Sequence, residues 1–280
     1  MASLLTLKRR IKTAKNVSKT TKAMQMIATS KLKRAQNAAT SSQPYAEKLS
    51  ELSRNITRQN EIEELSIYTT APKISAKLTI VISPDKGLSG GLVTNLIKEV
   101  VRIEEKRKQY FIVVGKKAEN YLSAFGKELV ASFSFGSALP QYDSIFPVLS
   151  LVEDYFRGQK VSSVEIITTR FISLFSQVPQ KTILLPLKLE DENKEDEKDM
   201  VFEPQASLLL PDLLKHYLEI SLYQSFLESY ASEQAARMIA MKNATDNAND
   251  IISELTLLFN KSRQEKITNE LLDIGGVIYE

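Results

Sequence analysis

The sequence predicts an α/β protein: a long antiparallel coiled coil of N- and C-terminal helices with an inserted Rossmann-like α/β domain. Three observations carry this expectation. Apolar or small residues recur every three or four positions at both ends of the chain, helix breakers are nearly absent there, and strands alternate with helices in between.

At the N-terminal end, Leu4, Leu7, Ile11, Ala14, Val17, Thr21, Met24, Ala28, Leu32 and Ala35 follow one another in steps of three and four, the spacing of a coiled-coil seam. No Pro or Gly falls in the first 43 residues, and helical sequence continues past Pro44, where a kink is expected, to about Arg58. At ~1.5 Å per residue such a helix is roughly 85 Å long, more than one globular core can cover. Residues 1–58 are therefore read as one coiled-coil helix and not as a targeting segment; Met1 to Leu7 has neither the apolar run nor the cleavage site of a secretory leader.

The central region, residues 73–189, changes grammar. Strands are predicted at Leu78–Ser83, Tyr110–Val114, Leu129–Phe135, Val161–Thr169 and Thr182–Leu187, and helices at Leu92–Lys108, Lys116–Phe125 and Ser144–Phe156. This order implies a mainly parallel sheet with helices on its faces. Residues 190–205 form an acidic loop and a short foot segment; the run from Glu190 to Asp199 is too charged to pack.

The last region, residues 206–280, mirrors the first. Ala231, Ala235, Met238, Met241, Thr245, Ala248, Ile252, Leu255 and Leu258 repeat at the same spacing, and from Leu208 to Ile274 there is one Pro, Pro211, and no Gly. Two such helices pair with each other, antiparallel, or with a second molecule. The abundance of Ala favours a narrow pair with closely approaching backbones.

Charge is spread unevenly. Residues 1–46 carry ten Lys or Arg and no Asp or Glu, whereas the remainder is net acidic at −7. The basic end either is a solvated face or meets an anionic partner: an acidic protein loop, anionic lipid or nucleic acid. Several chemistries are excluded outright. The chain has no Cys and one His, so disulfides, thiolate catalysis and a His-centred triad or metal site are not available. No cofactor, metal or catalytic residue is expected, and the longest apolar runs fall far short of the ~20 residues that span a membrane. The turn Ser83–Leu92 invites a phosphate-binding reading, but it matches neither GxGxxG nor GxxxxGK[ST], and Lys86 precedes its glycines. It is read as a tight turn that lets strand and helix pack closely. The methionine pairs Met24/Met26 and Met238/Met241 are read as seam residues.

Several blocks of sequence resemble F-type ATP synthase gamma subunits: Leu7–Asn16, Lys19–Ala28 and Ser30–Gln36 at the start, Asp85–Asn95 at the Gly-rich turn, and Phe202–Pro204, Ser232–Asn247, Asn260–Gln264 and Ile267–Leu271 toward the end. The resemblance implies a non-catalytic rotor shaft that couples proton-driven rotation of a c-ring to ATP synthesis or hydrolysis in a ring of alpha and beta subunits. Its implied partners are the alpha and beta subunits, the epsilon subunit and the c-ring, with no nucleic acid and no membrane insertion. It further implies that Arg263 and Gln264 hydrogen-bond a beta-subunit loop, that Lys8, Arg9, Lys22 and Met24 lie near an acidic beta-subunit lever, and that Phe202, Glu203 and Pro204 lie at the foot near epsilon and the c-ring. The chain departs from the family in having Ser89 where a Cys is usual, in its Gly-Gly-containing tail, Asp273–Glu280, and in lacking the cysteine-bearing chloroplast insertion. The implied location is the cytoplasmic face of a bacterial inner membrane, with the mitochondrial matrix face as the alternative. A paralogous F1-type ATPase motor and a basic coiled coil that binds nucleic acid remain the competing readings.

Overall fold

The computed structural model describes residues 3–59, 66–69, 71–72, 74–102, 108–187, 203 and 206–276. The acidic run 190–199 lies outside them. Two helices dominate: α1, Leu4–Gln59, and α6, Ala206–Gly276. The start of α1 is capped by Ser3, whose Oγ accepts the Thr6 backbone N–H at 3.3 Å. The helix continues through Pro44, and α6 continues through Pro211 and through Gly275 and Gly276. The chain divides into two compact units, residues 1–29 with 237–280, and residues 30–236.

In the first unit the seam follows a strict three-four alternation. On α1 the covered or half-covered residues are Leu4, Leu7, Ile11, Ala14, Ser18, Thr21, Gln25 and Ala28. On α6 they are Met238, Met241, Thr245, Ala248, Ile252, Leu255, Phe259 and Ser262, with Arg237, Ile239, Ala240 and Ala244 also half-covered. The helices run antiparallel. Thr21 Oγ1 and Thr245 Oγ1 are 2.7 Å apart, and Ser18 Oγ donates to Asn249 Oδ1 at 2.8 Å, so the higher number on one helix meets the lower on the other.

This phase corrects the expected seam. Val17 is 46% exposed, Met24 38% and Leu258 48%, while Ser18, Gln25 and Phe259 take the inward places. Met26 also points away from the seam. The physical reason is that a sustained seam must repeat every 3.5 residues. Choosing the most apolar residue in each turn drifts by one position, which is ~100° around the helix.

In the second unit a five-stranded sheet has the order β3-β2-β1-β4-β5. Its strands are β1 (Lys77–Ile82), β2 (Gln109–Val114), β3 (Leu129–Phe133), β4 (Ser163–Phe171) and β5 (Gln177–Leu185). The first four are parallel and β5 is antiparallel to β4. Alternate residues of each strand face opposite sides. Leu78, Ile80, Ile82, Ile112, Val114, Val164 and Ile166 pack with α5 (Phe146–Arg157) and with Leu210, Leu214, Leu218, Leu222 and Phe226 of α6. Val81, Phe111, Val113 and Ile167 pack with α3 (Leu92–Arg102) and α4 (Lys116–Ala124) on the other side.

Most elements lie within two residues of their expected bounds, and two differ by more. Strand β5 begins five residues before the expected Thr182, because its outer half alternates exposed and half-covered residues with no buried apolar face and contains Pro179. An edge strand tolerates a proline, since one side of it carries no ladder. Helix α3 is described from Leu92 to Arg102; residues 103–107 of its expected span lie outside the described residues, and the expected last residue, Lys108, is not helical. Buried Glu165 on β4 reaches Lys77 on β1 at 3.2 Å and Lys181 on β5 at 2.9 Å, so one carboxylate ties three strands together. A charge buried this deeply is tolerable only because it is paired.

Within this unit α1 and α6 also run antiparallel. Ala35 and Ala231 are buried, Gln224 Nε2 donates to Ser42 Oγ at 2.7 Å, and Tyr45 Oη lies 2.7 Å from His216 Nε2. The single histidine is thus a packing residue, its other ring nitrogen 2.9 Å from Glu219. A short helix, α2 (Ser66–Thr69), is pinned by Tyr68, which donates to Glu153 at 3.0 Å and accepts from Arg157 at 2.8 Å. Burial first, and the Glu153 carboxylate second, push the Tyr68 hydroxyl up to about 12.

Replacing Ala248, 5% exposed in the seam, with Glu is expected to cost about 3 kcal/mol or more, because the charge enters with no partner. An unchanged melting temperature would remove Ala248 from the seam. Tyr68 generates a second prediction. Its raised folded-state value means that its contribution is present below the ordinary tyrosine value of about 10 and is lost as pH climbs toward 12. The fall in melting temperature across that window should be smaller in Tyr68→Phe than in the parent chain.

Candidate functional site

The paired helices of the first unit present a one-signed flank. Lys8, Arg9, Arg10, Lys12, Lys15, Lys19 and Lys22 are all exposed on α1. They face outward because the seam takes every third or fourth position and leaves the rest to solvent. Of the expected contact residues, Lys8 and Arg9 lie near the start of this flank, and Lys22 lies further along it with its Nζ 3.3 Å from Gln25 Oε1. Met24 is exposed beside them, an apolar side chain on a basic face.

Arg263 and Gln264 follow the last seam residue, Ser262, and both are exposed. From Arg263 to Leu272 every residue of α6 is exposed, including Ile267 at 48%, Leu271 at 64% and Leu272 at 67%. Leu257 and Leu258 extend this uncovered apolar surface toward the seam. Sequence reasoning treated Leu258 as seam and passed over Leu257. Counting the strict heptad phase from Thr245 would have set both outside it. Glu203 is exposed, whereas Phe202 and Pro204 lie outside the described residues.

In the second unit the C-terminal ends of the parallel strands are the side on which an α/β sheet would hold a ligand. The turn after β1 does not offer an open cradle. Asp85 of that turn accepts the Lys116 backbone N–H at 2.9 Å, the Gly136 N–H at 2.7 Å and the Ser134 hydroxyl at 3.0 Å. The chain's own carboxylate therefore occupies the start of α4, where an anion would be drawn. The cleft beside it, between Ile82, Gly115, Phe135, Phe226 and Glu233, encloses about 40 Å³. That is room for a water or two, against the ~300 Å³ or more of a typical small-molecule site.

The glycines of the turn have a different role from the expected one. A side chain at Gly87, Gly90 or Gly91 would meet ordinary contacts or open space; Gly90 is required by its positive φ of 58°. Close approach is instead enforced at Gly115, where a Cβ would fall 2.0 Å from the Ser83 carbonyl oxygen. The signal for that glycine was its place directly after the apolar run of β2. Among the described residues no cluster of three or more His, Asp or Glu could hold a metal, and no helix is long and apolar enough to cross a membrane.

With this geometry in view, the comparisons with known proteins agree on one family. The ATP synthase family profile matches residues 3–277. An ATP synthase gamma chain of Dehalococcoides mccartyi (strain ATCC BAA-2100) is 38% identical over 279 residues, covering 99% of this chain and 98% of the relative. The gamma chain of Glaesserella parasuis serovar 5 is 36% identical over 282 residues, with 98% of each covered. Among solved structures, the central stalk and c-ring of the Tetrahymena thermophila mitochondrial ATP synthase superposes with a TM-score of 0.60 at 26% identity, over 80% of this chain and 98% of that one. A chain of the Euglena gracilis mitochondrial ATP synthase shares the fold, with a TM-score of 0.69 at 18% identity over 98% of this chain and 93% of its own. A two-helix antiparallel seam with a basic flank, a sheet domain whose ligand position is filled by its own Asp85, and full-length similarity to gamma chains lead to one assignment: this chain belongs to the ATP synthase gamma chain family.

Proposed function

We propose that this chain is the central rotor shaft of an F-type ATP synthase, turned by a c-ring and coupling that rotation to ATP synthesis or hydrolysis in a ring of alpha and beta subunits. The observation that carries the reading is the bare end of α6, where ten consecutive residues, Arg263 to Leu272, are all exposed among the described residues yet stay helical. Exposed Leu and Ile at that density mark a surface that another protein covers. A ring of surrounding subunits supplies such a cover, and the basic flank of α1 suits an acidic element on the same ring.

In this reading the chain performs no chemistry. Its asymmetry does the work: a shaft with a cationic side and an apolar tip presents different faces to three otherwise equivalent catalytic sites, and so biases which one is open. Lys8, Arg9, Lys22 and Met24 meet an acidic lever of the beta subunit. Arg263 and Gln264 grip a beta-subunit loop, the guanidinium offering a rigid fork of donors and the amide one donor group and one acceptor. Phe202, Glu203 and Pro204 belong to the foot, where the epsilon subunit and c-ring attach. The shaft then comprises residues 1–58 and 206–280, the sheet domain residues 73–189, and the foot with its acidic loop residues 190–205. Peripheral placement on the cytoplasmic side of a bacterial inner membrane is supported by similarity to bacterial gamma chains over 98–99% of this chain.

Two experiments test this. Each hydrogen bond from Arg263 or Gln264 to a charged partner contributes about 1.5–3 kcal/mol, enough to shift angular states by roughly tenfold. Arg263→Leu with Gln264→Leu should therefore leave the chain folded and assembled but slow both ATP hydrolysis and ATP synthesis, while Lys261→Ala leaves them unchanged. Equal turnover in both directions, at matched amounts of verified complex, would refute the grip. The second experiment concerns the isolated chain, which should bind no ATP by calorimetry with or without Mg²⁺, since Asp85 fills the anion position. Stoichiometric binding would overturn the non-catalytic reading.

A further inference from the structure

Helix α1 offers two inward faces, and the less apolar one is used. Both share Ala14, Thr21 and Ala28. One fills the intervening places with Ser18 and Gln25, the other with Val17 and Met24. Burial energy alone favours the second, because Val and Met gain from leaving water while Ser and Gln lose hydration. Yet Ser18 and Gln25 are half-covered, and Val17 and Met24 are 46% and 38% exposed. Something outweighs hydrophobicity at this level of the pair.

We propose that Ser18, Thr21, Thr245 and Asn249 form a hydrogen-bonded clamp that sets the axial rotation of α1 and so holds Val17 and Met24 on the outer surface. The clamp has two bonds, Thr21 to Thr245 at 2.7 Å and Ser18 to Asn249 at 2.8 Å, lying one turn apart on each helix. Passing to the other face turns α1 by about half of the ~100° that separates neighbouring residues. A side-chain oxygen then moves by roughly 3 Å, which is enough to part both pairs. Thr21 and Thr245 also lie within reach of carbonyls of their own helices, Val17 O at 3.0 Å and Met241 O at 2.8 Å, so the rotated state strands no hydroxyl. The two faces thus differ by the cross-helix bonds on one side and by apolar burial on the other. These four are positioning residues for Met24. That Met24 meets a partner rests on the proposed rotor function; that the clamp keeps it outward does not.

The absence of cysteine from the chain makes a direct test available. Met24→Cys and Gln25→Cys are prepared separately in the full-length chain, and the rate of maleimide labelling is measured for each. In the parent background Met24→Cys labels faster. In the Ser18→Ala/Thr245→Val background, which removes both bonds, the Met24→Cys to Gln25→Cys rate ratio should fall by about tenfold or more, since each net bond is worth roughly fivefold in population. Thr245→Ser, which keeps the hydroxyl, should restore the parent ratio when Ser18 is present. An unchanged ratio in the Ala/Val background, with helix content by circular dichroism preserved, overturns the clamp. If that background loses its helix content, Asn249→Ala, at an exposed position, removes one bond and should lower the ratio by about fivefold; no change there overturns the clamp equally. A fallen ratio together with normal turnover of the assembled complex would keep the clamp and refute the contact at Met24, which separates the two ideas.

Discussion

Close approach of two antiparallel helix backbones is the constraint on which the remaining structure depends. It is made possible by small side chains. Ala28 and Ala248 in one unit, and Ala35, Ala231 and Ala235 in the other, are buried to 5% or less. Alanine in a seam brings backbones together but buries little apolar area, so each layer contributes less than a leucine layer would. Stability must then come from elsewhere: from high helix propensity along α1 and α6, and from the sheet core onto which Leu210, Leu214, Leu218, Leu222 and Phe226 pack. A narrow seam also leaves most of each helix's circumference uncovered, and that is where the basic flank and the exposed apolar end lie.

Polar residues at seam positions follow from the same narrowness. A wide hydrophobic interface would exclude Ser18, Thr21 and Gln25, but a thin one leaves their hydroxyl and amide groups near enough to water, or to each other, to be satisfied. Specificity of register then comes from hydrogen bonds instead of side-chain shape, much as a single polar layer sets register in other coiled coils. In the sheet domain the equivalent device is ionic: Glu165 between Lys77 and Lys181 fixes three strands against one another, and Asp85 fixes three loops. Both carboxylates serve the architecture. A sheet edge that in other α/β proteins opens to a ligand is here closed by the chain itself.

By itself the sequence determined that two long helices exist, because a period near 3.5 without breakers over more than forty residues admits no other regular structure. It also determined the strand–helix alternation, the charge of the N-terminal flank and the absence of thiol or histidine-centred chemistry, all of which depend on local composition. The gamma-type blocks at both ends were legible for the same reason. The tertiary structure alone decided the phase of the seam. Val17, Met24 and Leu258 are apolar and Ser18 and Gln25 are not, yet which of them turns inward depends on what stands opposite, on Thr245, Asn249 and the strict repeat of the partner helix. It also decided that β5 runs through Pro179, that Gly115 is the position of closest approach, and that Asp85 fills the anion position at the start of α4. Each of these joins residues ten or more, and in the seam more than two hundred, positions apart, and local hydrophobicity carries no information about a partner so distant along the chain.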